Sequence, residues 1–187
     1  RRDQRRGQGA EPLTVNVKLK WPNDLYVNGC KLGGVLCEAH HEPHLRGGQR
    51  GYTRSITVGV GVNLYASHDL PPSSTSLDQL LEPSVSDRSL NLKDHITQLT
   101  AEQLMTLGAA LVTYLDRSYH ALLAHGWRGV IEGWRQYQLP LGTPLERLYN
   151  GERVRGRYLG ITDRGALSLA LESGETLTIT TGEVSLY

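Results

Sequence analysis

The sequence predicts an α+β fold, in which a mixed or antiparallel sheet carries helices on one face and is followed by a small all-β unit. Short alternating segments dominate up to about residue 64, helical periodicity dominates from about residue 101 to 139, and short alternating segments return after residue 142. The chain of 187 residues can bury one domain core and a small appendage. These changes of pattern divide the chain into a lead-in at 1–12, a main domain at 13–140 and a second unit at 141–187.

The first predicted strand ends at a lysine. Apolar and polar residues alternate over Val15–Lys20, which is typical of a strand with one face in a core. Pro22 has no N–H to donate to a neighbouring strand, so the strand should end at the polar corner Trp21–Asp24. Asn28-Gly29 then predicts a hairpin turn, and Gly33-Gly34 opens the returning strand.

The strand predicted at Ile56–Leu64 has two different faces. One face carries only branched apolar side chains, while the other carries Gly59 and Gly61 and ends at Asn63. Glycine weakens a strand interior, so two glycines at alternate positions indicate that something lies flat against the sheet. A packed helix or a bulge would explain one such glycine, but together with the lysine strand and the terminal carboxamide the pair favours a ligand floor.

A long helix is predicted at about residues 101–124 and should lie on the core side of the sheet. Thr100 and Gln103 form a capping-box pattern, and apolar residues then recur at helical spacing. Gly126 should end this helix, and a shorter helix should lead toward Leu139. After Gly142, short alternating segments separated by glycine-containing turns predict a compact β unit, which is small enough that docking on the larger domain is expected.

Composition and charge argue against several classes of protein. With 20 Lys and Arg against 19 Asp and Glu, the net charge of +1 argues against broad binding of nucleic acid or an anionic membrane. No apolar run approaches the roughly 18 residues of a membrane helix. Cys30 and Cys37 have no C-x-x-C spacing, which predicts reduced thiols and a cytoplasmic protein, or an organellar one if a targeting segment precedes the chain.

The histidine-rich segment at residues 40–53 invites a zinc interpretation. Pro43 argues against the helix that would aim His40 and His44 at one metal ion, and no second ligand cluster follows. A solvated loop is therefore the favoured interpretation of this segment.

Three blocks of sequence, in order, resemble the catalytic domain of biotin protein ligases. The blocks are Lys20-Trp21-Pro22-Asn23-Asp24, then Lys31-Leu32-Gly33-Gly34-Val35-Leu36 with Glu38, then Val58-Gly59-Val60-Gly61-Val62-Asn63-Leu64, which Thr75-Ser76-Leu77 trails. The closing T-T-G-E-V-S-L resembles the end of the small SH3-like barrel that follows this domain in the family. The resemblance spans about residue 13 to the C-terminus, and it implies the fold that biotin ligases share with class II aminoacyl-tRNA synthetases.

The residues of the predicted site suit the activation of a carboxylate by ATP. Such an enzyme must bring a carboxylate to the α-phosphate, and a lysine fixed at a strand end can bridge the two anions and offset the charge of the transition state. Lys20 is placed for that role, while Asn63 offers a carbonyl oxygen for hydrated Mg²⁺ and an amide for a phosphate oxygen. Both side chains could reach one phosphate if their strands are neighbours, because adjacent strands lie about 4.8 Å apart.

The resemblance implies a more specific reaction. Biotin ligases form biotinyl-5′-adenylate from biotin and ATP and pass the biotinyl group to a lysine of a biotin carboxyl carrier domain. The implied roles are catalysis for Lys20, biotin binding for Lys20, Gly34, Gly59 and Gly61, nucleotide binding for Asn23, Asp24 and Asn63, and indirect Mg²⁺ binding for Asn63. The expected ligands are therefore biotin, ATP and Mg²⁺, and the expected partner is a carboxylase carrier domain, with a homodimer left open.

Two alternatives stay open. A lipoate or octanoate transferase shares the fold, although the complete W-P-N-D corner and the C-terminal unit favour biotin. A non-catalytic binding module is the other alternative, because residues 1–19 do not match the glycine- and arginine-rich loop that the family carries upstream of this corner. The chain is therefore expected to be part of a longer protein, to hold the second half of an active site and to be weakly active or inactive alone.

Overall fold

Two antiparallel sheets form the fold of this computed structural model, which describes residues 15–46, 49–81, 99–149 and 152–187. The predicted lead-in at residues 1–12 lies outside these ranges. The first sheet has the order β1-β2-β3-β4 and contains β1 (Val17–Lys20), β2 (Asp24–Val27), β3 (Cys30–Arg46) and β4 (Gln49–Val62). Three helices follow in the chain, α1 (Leu77–Leu81), α2 (Ala101–His125) and α3 (Trp127–Tyr137).

The second sheet has the order β8-β7-β6-β5-β9. It contains β5 (Pro144–Tyr149), β6 (Glu152–Ile161), β7 (Leu167–Leu171), β8 (Thr176–Ile179) and β9 (Ser185–Leu186). The predicted antiparallel α+β fold with a β-rich C-terminal unit is confirmed. Among the described strands β8 and β9 are edges, so the implied barrel is observed as an open five-stranded sheet rather than a closed one.

The turn between β2 and β3 is the predicted Asn28-Gly29 hairpin turn. Asn28 has φ 51° and Gly29 has φ 80°, and two central residues with positive φ characterise the tight turns whose twist matches that of the strands. The pairing of β2 with β3 then shifts by one residue between Leu25 and Tyr26, which is a bulge. This bulge changes which side chains of β3 share a face with β2.

The loop predicted at residues 40–53 is wrong, because β3 and β4 continue through it as a long hairpin. Described pairs run from Gly33 with Val62 to Arg46 with Gln49, and Pro43 is paired with Tyr52. At that level β3 has β4 as its partner among the described strands, because the pairing with β2 reaches no further along β3 than Gly34, which is opposite Asp24. Proline is tolerated where one edge of a strand has no partner, so composition alone was a poor guide here.

The core joins Trp21 of the first corner to α3 and the second sheet. Trp21 packs with Ile131 and Leu139 and with apolar side chains of the second unit, namely Leu145, Tyr158, Ile161, Leu167, Leu169, Ile179 and Val184. The Leu139 N–H also donates to the Leu19 carbonyl oxygen at 3.1 Å. The expected docking of the small unit on the larger one is therefore observed at this corner.

Helix α2 forms as predicted but does not lie in the core. The Thr100 hydroxyl and the Gln103 side chain make the expected capping box. None of its residues is buried, and on β4 the side chains of Ile56 and Val58 are 66% and 41% exposed. The predicted packing of this helix on the sheet is wrong, because periodicity identifies an apolar helix face but not its partner. None of the described helices is long and apolar enough to cross a membrane.

Candidate active site on the lysine and glycine face

One row of residues crosses all four strands of the first sheet. Lys20 pairs with Asp24, Asp24 pairs with Gly34, and Gly34 pairs with Gly61. Directly opposed residues of antiparallel strands project to the same face, and Gly59 joins them because it lies two positions from Gly61. These five predicted site residues therefore share one face of the sheet.

The glycine part of this face is bare. A side-chain carbon added at Gly59 would lie 3.7 Å from the Leu36 carbonyl oxygen, and one added at Gly61 would lie 4.0 Å from the Gly34 carbonyl oxygen. Both glycines are exposed. Within the described residues, no packed hydrocarbon covers this strip, so a flat ligand can lie against it.

The two glycines of β3 are required for a different reason. A side-chain carbon at Gly33 would collide with the carbonyl oxygen of Gly61, and one at Gly34 would lie 3.2 Å from Asn23 O and from Asp24 Oδ1. Gly33 therefore allows close approach of β3 and β4. Gly34 leaves room for the Asp24 carboxylate.

Lys20 is buried and its ammonium contacts other protein groups. The residue is 4% exposed, and Nζ donates to the Val184 carbonyl oxygen at 2.7 Å. Nζ also lies 2.7 Å from Asp24 Oδ2 and 5.6 Å from the centroid of the Tyr26 ring. Its ammonium therefore lies against Asp24 at the edge of the glycine face, and the contact with substrate that the sequence suggested stays a prediction.

Lys31 is the exposed cation of the site, and the sequence analysis did not assign it a role. Its side chain is 43% exposed and Nζ lies 2.5 Å from Asp24 Oδ1. Lys31 pairs with Tyr26 because of the bulge, and this brings it to the face that carries Asp24. Its place at the start of the K-L-G-G block could have pointed to Lys31 as a site residue. The bulge that brings its side chain to this face is not predictable from the sequence.

Asp24 lies between the two lysines and is the charged centre of the site. Burial raises the pKa of this carboxyl, but hydrogen bonds from Lys20 and Lys31 and the charges of both lysines outweigh that effect. The pKa of Asp24 consequently lies below its ordinary value, and the carboxylate is ionised at neutral pH.

Asn63 lies at the end of β4 and ties a following segment to β3. Its Nδ2 donates to Lys31 O at 3.3 Å and to Thr75 O at 3.0 Å. The Thr75 N–H in turn donates to Lys31 O at 2.9 Å, and Ser76 is fully buried. The T-S-L tripeptide therefore forms one wall of the site next to Lys31.

The expectation that the strands of Lys20 and Asn63 are neighbours is wrong. β2 and β3 lie between β1 and β4, so three strand spacings of about 4.8 Å, roughly 14 Å, separate β1 from β4. Asn63 is instead adjacent to Lys31 on β3. The Asn63 carboxamide thus lies beside the main chain of Lys31 rather than beside Lys20.

Hydrogen bonds hold the corner that contains Asn23 on two sides. Asn23 is half-buried and its carbonyl oxygen accepts from the Val35 N–H at 2.9 Å. The Trp21 indole N–H donates to the Gly165 carbonyl oxygen at 2.9 Å, and the Trp21–Pro22 peptide bond is cis. Asn23 therefore stands beside Asp24 at the rim of the site.

Two family models match the chain. The Biotin/lipoate A/B protein ligase family matches residues 4–63, and the Biotin protein ligase C terminal domain matches residues 146–187. The first match contains every predicted site residue. It begins at residue 4, upstream of residue 13, where the resemblance was expected to start.

Relatives and solved structures agree with these matches. A bifunctional ligase/repressor of Bacillus spizizenii is 28% identical over 171 residues, which are 89% of this chain and 46% of the relative. The biotin–protein ligase of Homo sapiens is 26% identical over 166 residues, which are 88% of this chain and 20% of the relative. The chain therefore spans less than half the length of these two relatives.

The fold is also that of a solved ligase. The biotin protein ligase from Aquifex aeolicus superposes with a TM-score of 0.61 at 20% identity, covering 91% of this chain and 64% of that one. Its structure in complex with biotin and ATP superposes with a TM-score of 0.58 at 19% identity, covering 91% and 62%. The superpositions show the fold, and the two family matches identify residues 4–63 with the Biotin/lipoate A/B protein ligase family and residues 146–187 with the Biotin protein ligase C terminal domain.

Proposed function

We propose that the protein containing this chain activates biotin with ATP and transfers the biotinyl group to a lysine of a biotin carboxyl carrier domain. The observation that carries the proposal is an exposed ammonium, Lys31, fixed by Asp24 on the face that carries Gly34 and the bare strip of Gly59 and Gly61. The two family matches and a solved relative in complex with biotin and ATP support this choice of substrates. The free Cys30 and Cys37 support action in the cytoplasm or another reducing compartment.

The first step joins two anions. The carboxylate oxygen of biotin attacks the α-phosphorus of ATP, a mixed anhydride forms and pyrophosphate leaves. Lys31 is the group that can lie between the carboxylate and the phosphate and offset their repulsion, because it is partly exposed and held from behind by Asp24. Lys20, whose ammonium lies 2.7 Å from the other oxygen of Asp24, is the second cation proposed for this step, in the role that the resemblance of the K-W-P-N-D corner implies.

The second step transfers the acyl group. The ε-amine of the carrier lysine attacks the carbonyl carbon of the anhydride, the C–O bond to phosphate breaks and AMP leaves with the electron pair. The open side of the glycine strip leaves space for an approaching lysine, since Gly59 and Gly61 are exposed.

The nucleotide and its Mg²⁺ are assigned to the Asn63 side of the site. Both hydrogen bonds found for the Asn63 carboxamide among the described residues use Nδ2, which leaves Oδ1 as a neutral oxygen suited to a water of hydrated Mg²⁺. Mg²⁺ bound with ATP would neutralise phosphate charge. Asn23 and Asp24 at the rim are the residues proposed to orient the nucleotide.

A lipoate or octanoate transferase is the second candidate, because the family model over residues 4–63 includes lipoate ligases. The match of residues 146–187 to the biotin ligase C-terminal domain favours biotin. A binding module without turnover is the third candidate, since the chain spans less than half of its curated relatives.

One assay separates the three candidates. The chain, and a longer form extended upstream, are incubated with MgATP, a carrier domain and either biotin or lipoate. Biotin labelling by the longer form that falls at least about 100-fold in Lys31→Met, but not in Lys18→Met, supports the proposal. Labelling with lipoate alone supports the transferase, and binding of biotin without labelling by either form supports the binding module.

A further inference from the structure

Tyr26 lies among the charged residues of the site, although neither proposed step uses it. It is opposite Lys18 on β1 and opposite Lys31 on β3, and it is two positions from Asp24 on its own strand. Opposed residues of antiparallel strands share a face, as do residues two apart, so the Tyr26 ring belongs to the face that carries Asp24 and Lys20. The residue is nevertheless only 8% exposed.

The Tyr26 ring is a neighbour of the Lys20 ammonium. Lys20 Nζ lies 5.6 Å from the ring centroid, which is within the range of a cation–π contact. Burial raises the pKa of the Tyr26 hydroxyl, and the negative charge of Asp24 raises it further. The phenol is therefore neutral at neutral pH, and the ring face is what attracts the ammonium.

The hydrogen bonds of Lys20 leave one of its N–H groups available. An ammonium has three N–H donors. Lys20 Nζ lies 2.7 Å from the Val184 carbonyl oxygen and 2.7 Å from Asp24 Oδ2, and within the described ranges no third acceptor is bonded to it. Because the residue is 4% exposed, water has little access to the remaining N–H. A substrate oxygen that reaches Lys20 would therefore meet a donor that is not already engaged.

An aromatic ring suits the position beside this donor. The face of a ring attracts a cation without acting as a strong hydrogen-bond acceptor, whereas a carbonyl or carboxylate oxygen there would take the third N–H. The Tyr26 hydroxyl makes no hydrogen bond to any residue that the structure describes, so Tyr26 contacts the Lys20 ammonium through its ring.

We propose that Tyr26 is a positioning residue for Lys20, whose ring holds the ammonium without taking the N–H that a substrate oxygen needs. The role of Tyr26 in the reaction rests on the proposed function, in which Lys20 contacts the substrates, but the contact between ring and ammonium does not.

The contact is tested by nuclear magnetic resonance on the whole chain. The signals of the Lys20 Cε protons, which adjoin the ammonium, are compared in the wild type, in Tyr26→Phe and in Tyr26→Leu. The face of an aromatic ring moves the signals of nearby protons upfield. The upfield shift is expected in the wild type and in Tyr26→Phe and should be lost in Tyr26→Leu. Identical Lys20 signals in the wild type and in Tyr26→Leu would overturn the proposal.

The consequence for the reaction is tested by a double-mutant cycle in the form that labels a carrier domain. Tyr26→Leu is expected to lower kcat about tenfold with KM for biotin changed less than about threefold, and the conservative Tyr26→Phe should restore kcat to within about threefold of the wild type. In a Lys20→Met background, Tyr26→Leu should cause no further loss beyond about twofold, because the ammonium that the ring holds is gone. In a Lys18→Met background, which removes the lysine directly opposite Tyr26, the loss of about tenfold should remain.

The outcomes separate the inference from the proposed function. A loss from Tyr26→Leu that persists in Lys20→Met would show that Tyr26 acts apart from Lys20, and an equal loss in Tyr26→Phe would show that the hydroxyl is required. Either result would overturn the positioning role. If no form shows turnover, the proposed ligase activity fails, while the Lys20 signals still decide whether the ring holds the ammonium. Circular dichroism on each variant confirms that the fold is kept.

Discussion

At the scale of single residues, the site depends on how Asp24 divides its two oxygens between Lys20 and Lys31. Removing either lysine leaves a buried carboxylate with half of its partners, and removing the carboxylate leaves a buried ammonium with Val184 O as its remaining hydrogen-bond acceptor among the described residues. Removing one partner of a buried ion pair usually destabilises a protein more than replacing both partners with apolar residues. This makes Asp24 the residue whose ionisation should be most visible in the stability of the chain.

We expect the stability that Asp24 provides to be lost in acid. Its pKa is depressed in the folded state, so its contribution is fully present above the unfolded value of about 3.9 and disappears as pH falls through the folded value. Urea unfolding from pH 2 to 7 should show this loss below about pH 4 in the wild type. In Asp24→Asn the loss should be absent, and the free energy of unfolding at pH 7 should be lower by about 3 kcal/mol.

The control for this experiment is an exposed aspartate. Asp163 pairs with Arg135 at 2.8 Å, but its side chain is 91% exposed. Asp163→Asn should therefore change the free energy of unfolding by at most about 0.5 kcal/mol. Matching acid profiles for wild type and Asp24→Asn would contradict the assigned environment of Asp24.

The glycines of the site should respond differently to the same substitution. Gly33→Ala forces a methyl group against the Gly61 carbonyl oxygen and should destabilise the chain by about 2 kcal/mol. Gly59→Ala meets ordinary van der Waals space, so the thermal midpoint should hardly move, while the methyl group occupies the proposed biotin floor. Calorimetric titration should then show biotin binding weakened by about tenfold or more. Unchanged biotin affinity in Gly59→Ala would count against the floor.

The residue scale also shows what the sequence could and could not predict. Alternation correctly put Gly59 and Gly61 on one face, because the side-chain period of a strand depends on the backbone alone. The burial of Lys20 was not predicted, because a strand end was taken as an open position. Its burial comes from the contact with Val184, which is 164 residues away in sequence and leaves no local pattern.

At the scale of elements, α2 illustrates the difference between forming a helix and placing it. Its capping box was predicted from Thr100 and Gln103, since these side chains satisfy N–H groups that the first turn leaves free. Its packing partner was not predictable, because an apolar helix face fits many surfaces. The same limit applies to the long hairpin of β3 and β4, in which cross-strand pairing overrides a loop-like composition.

The helix cap gives a prediction with an internal control. Thr100→Ala removes the acceptor for the Gln103 N–H and should lower the free energy of unfolding by about 1 kcal/mol. Thr106→Ala removes a hydroxyl that bonds to Glu102 O within the helix, where the backbone bonds are already made, so it should be neutral or slightly stabilising. Far-UV circular dichroism during thermal unfolding measures both. A larger loss of stability in Thr106→Ala than in Thr100→Ala would show that the capping box does not stabilise the N-terminus of α2.

At the scale of the whole molecule, burial is unevenly distributed. The second sheet, α3 and Trp21 share a core, whereas α2 and the outer half of β4 expose large apolar side chains. The docking of the two units was predictable from the small size of the second one, because few residues give few apolar contacts. The exact place of docking was not predictable, because its hydrogen bonds end on two main-chain carbonyl oxygens that no sequence pattern identifies.

The exposed apolar surface should make the isolated chain self-associate. Met105 and Val112 on α2 are 76% and 66% exposed, and contiguous patches of this kind bind apolar dyes and other copies. Met105→Lys with Val112→Lys should reduce dye fluorescence and the sedimentation coefficient at high concentration, without lowering the thermal midpoint. A wild-type chain that sediments as a monomer at every concentration and binds no dye would contradict this expectation.

The two hydrogen bonds from the corner to the second unit end on backbone oxygens, and this bears on how the family can vary. An acceptor that belongs to the main chain depends on the path of a loop and is indifferent to which amino acids compose it. The loops that hold Gly165 and Val184 can therefore diverge in sequence while the contact with the corner persists. An insertion or deletion that shifts either loop would break the contact even where every neighbouring side chain is retained.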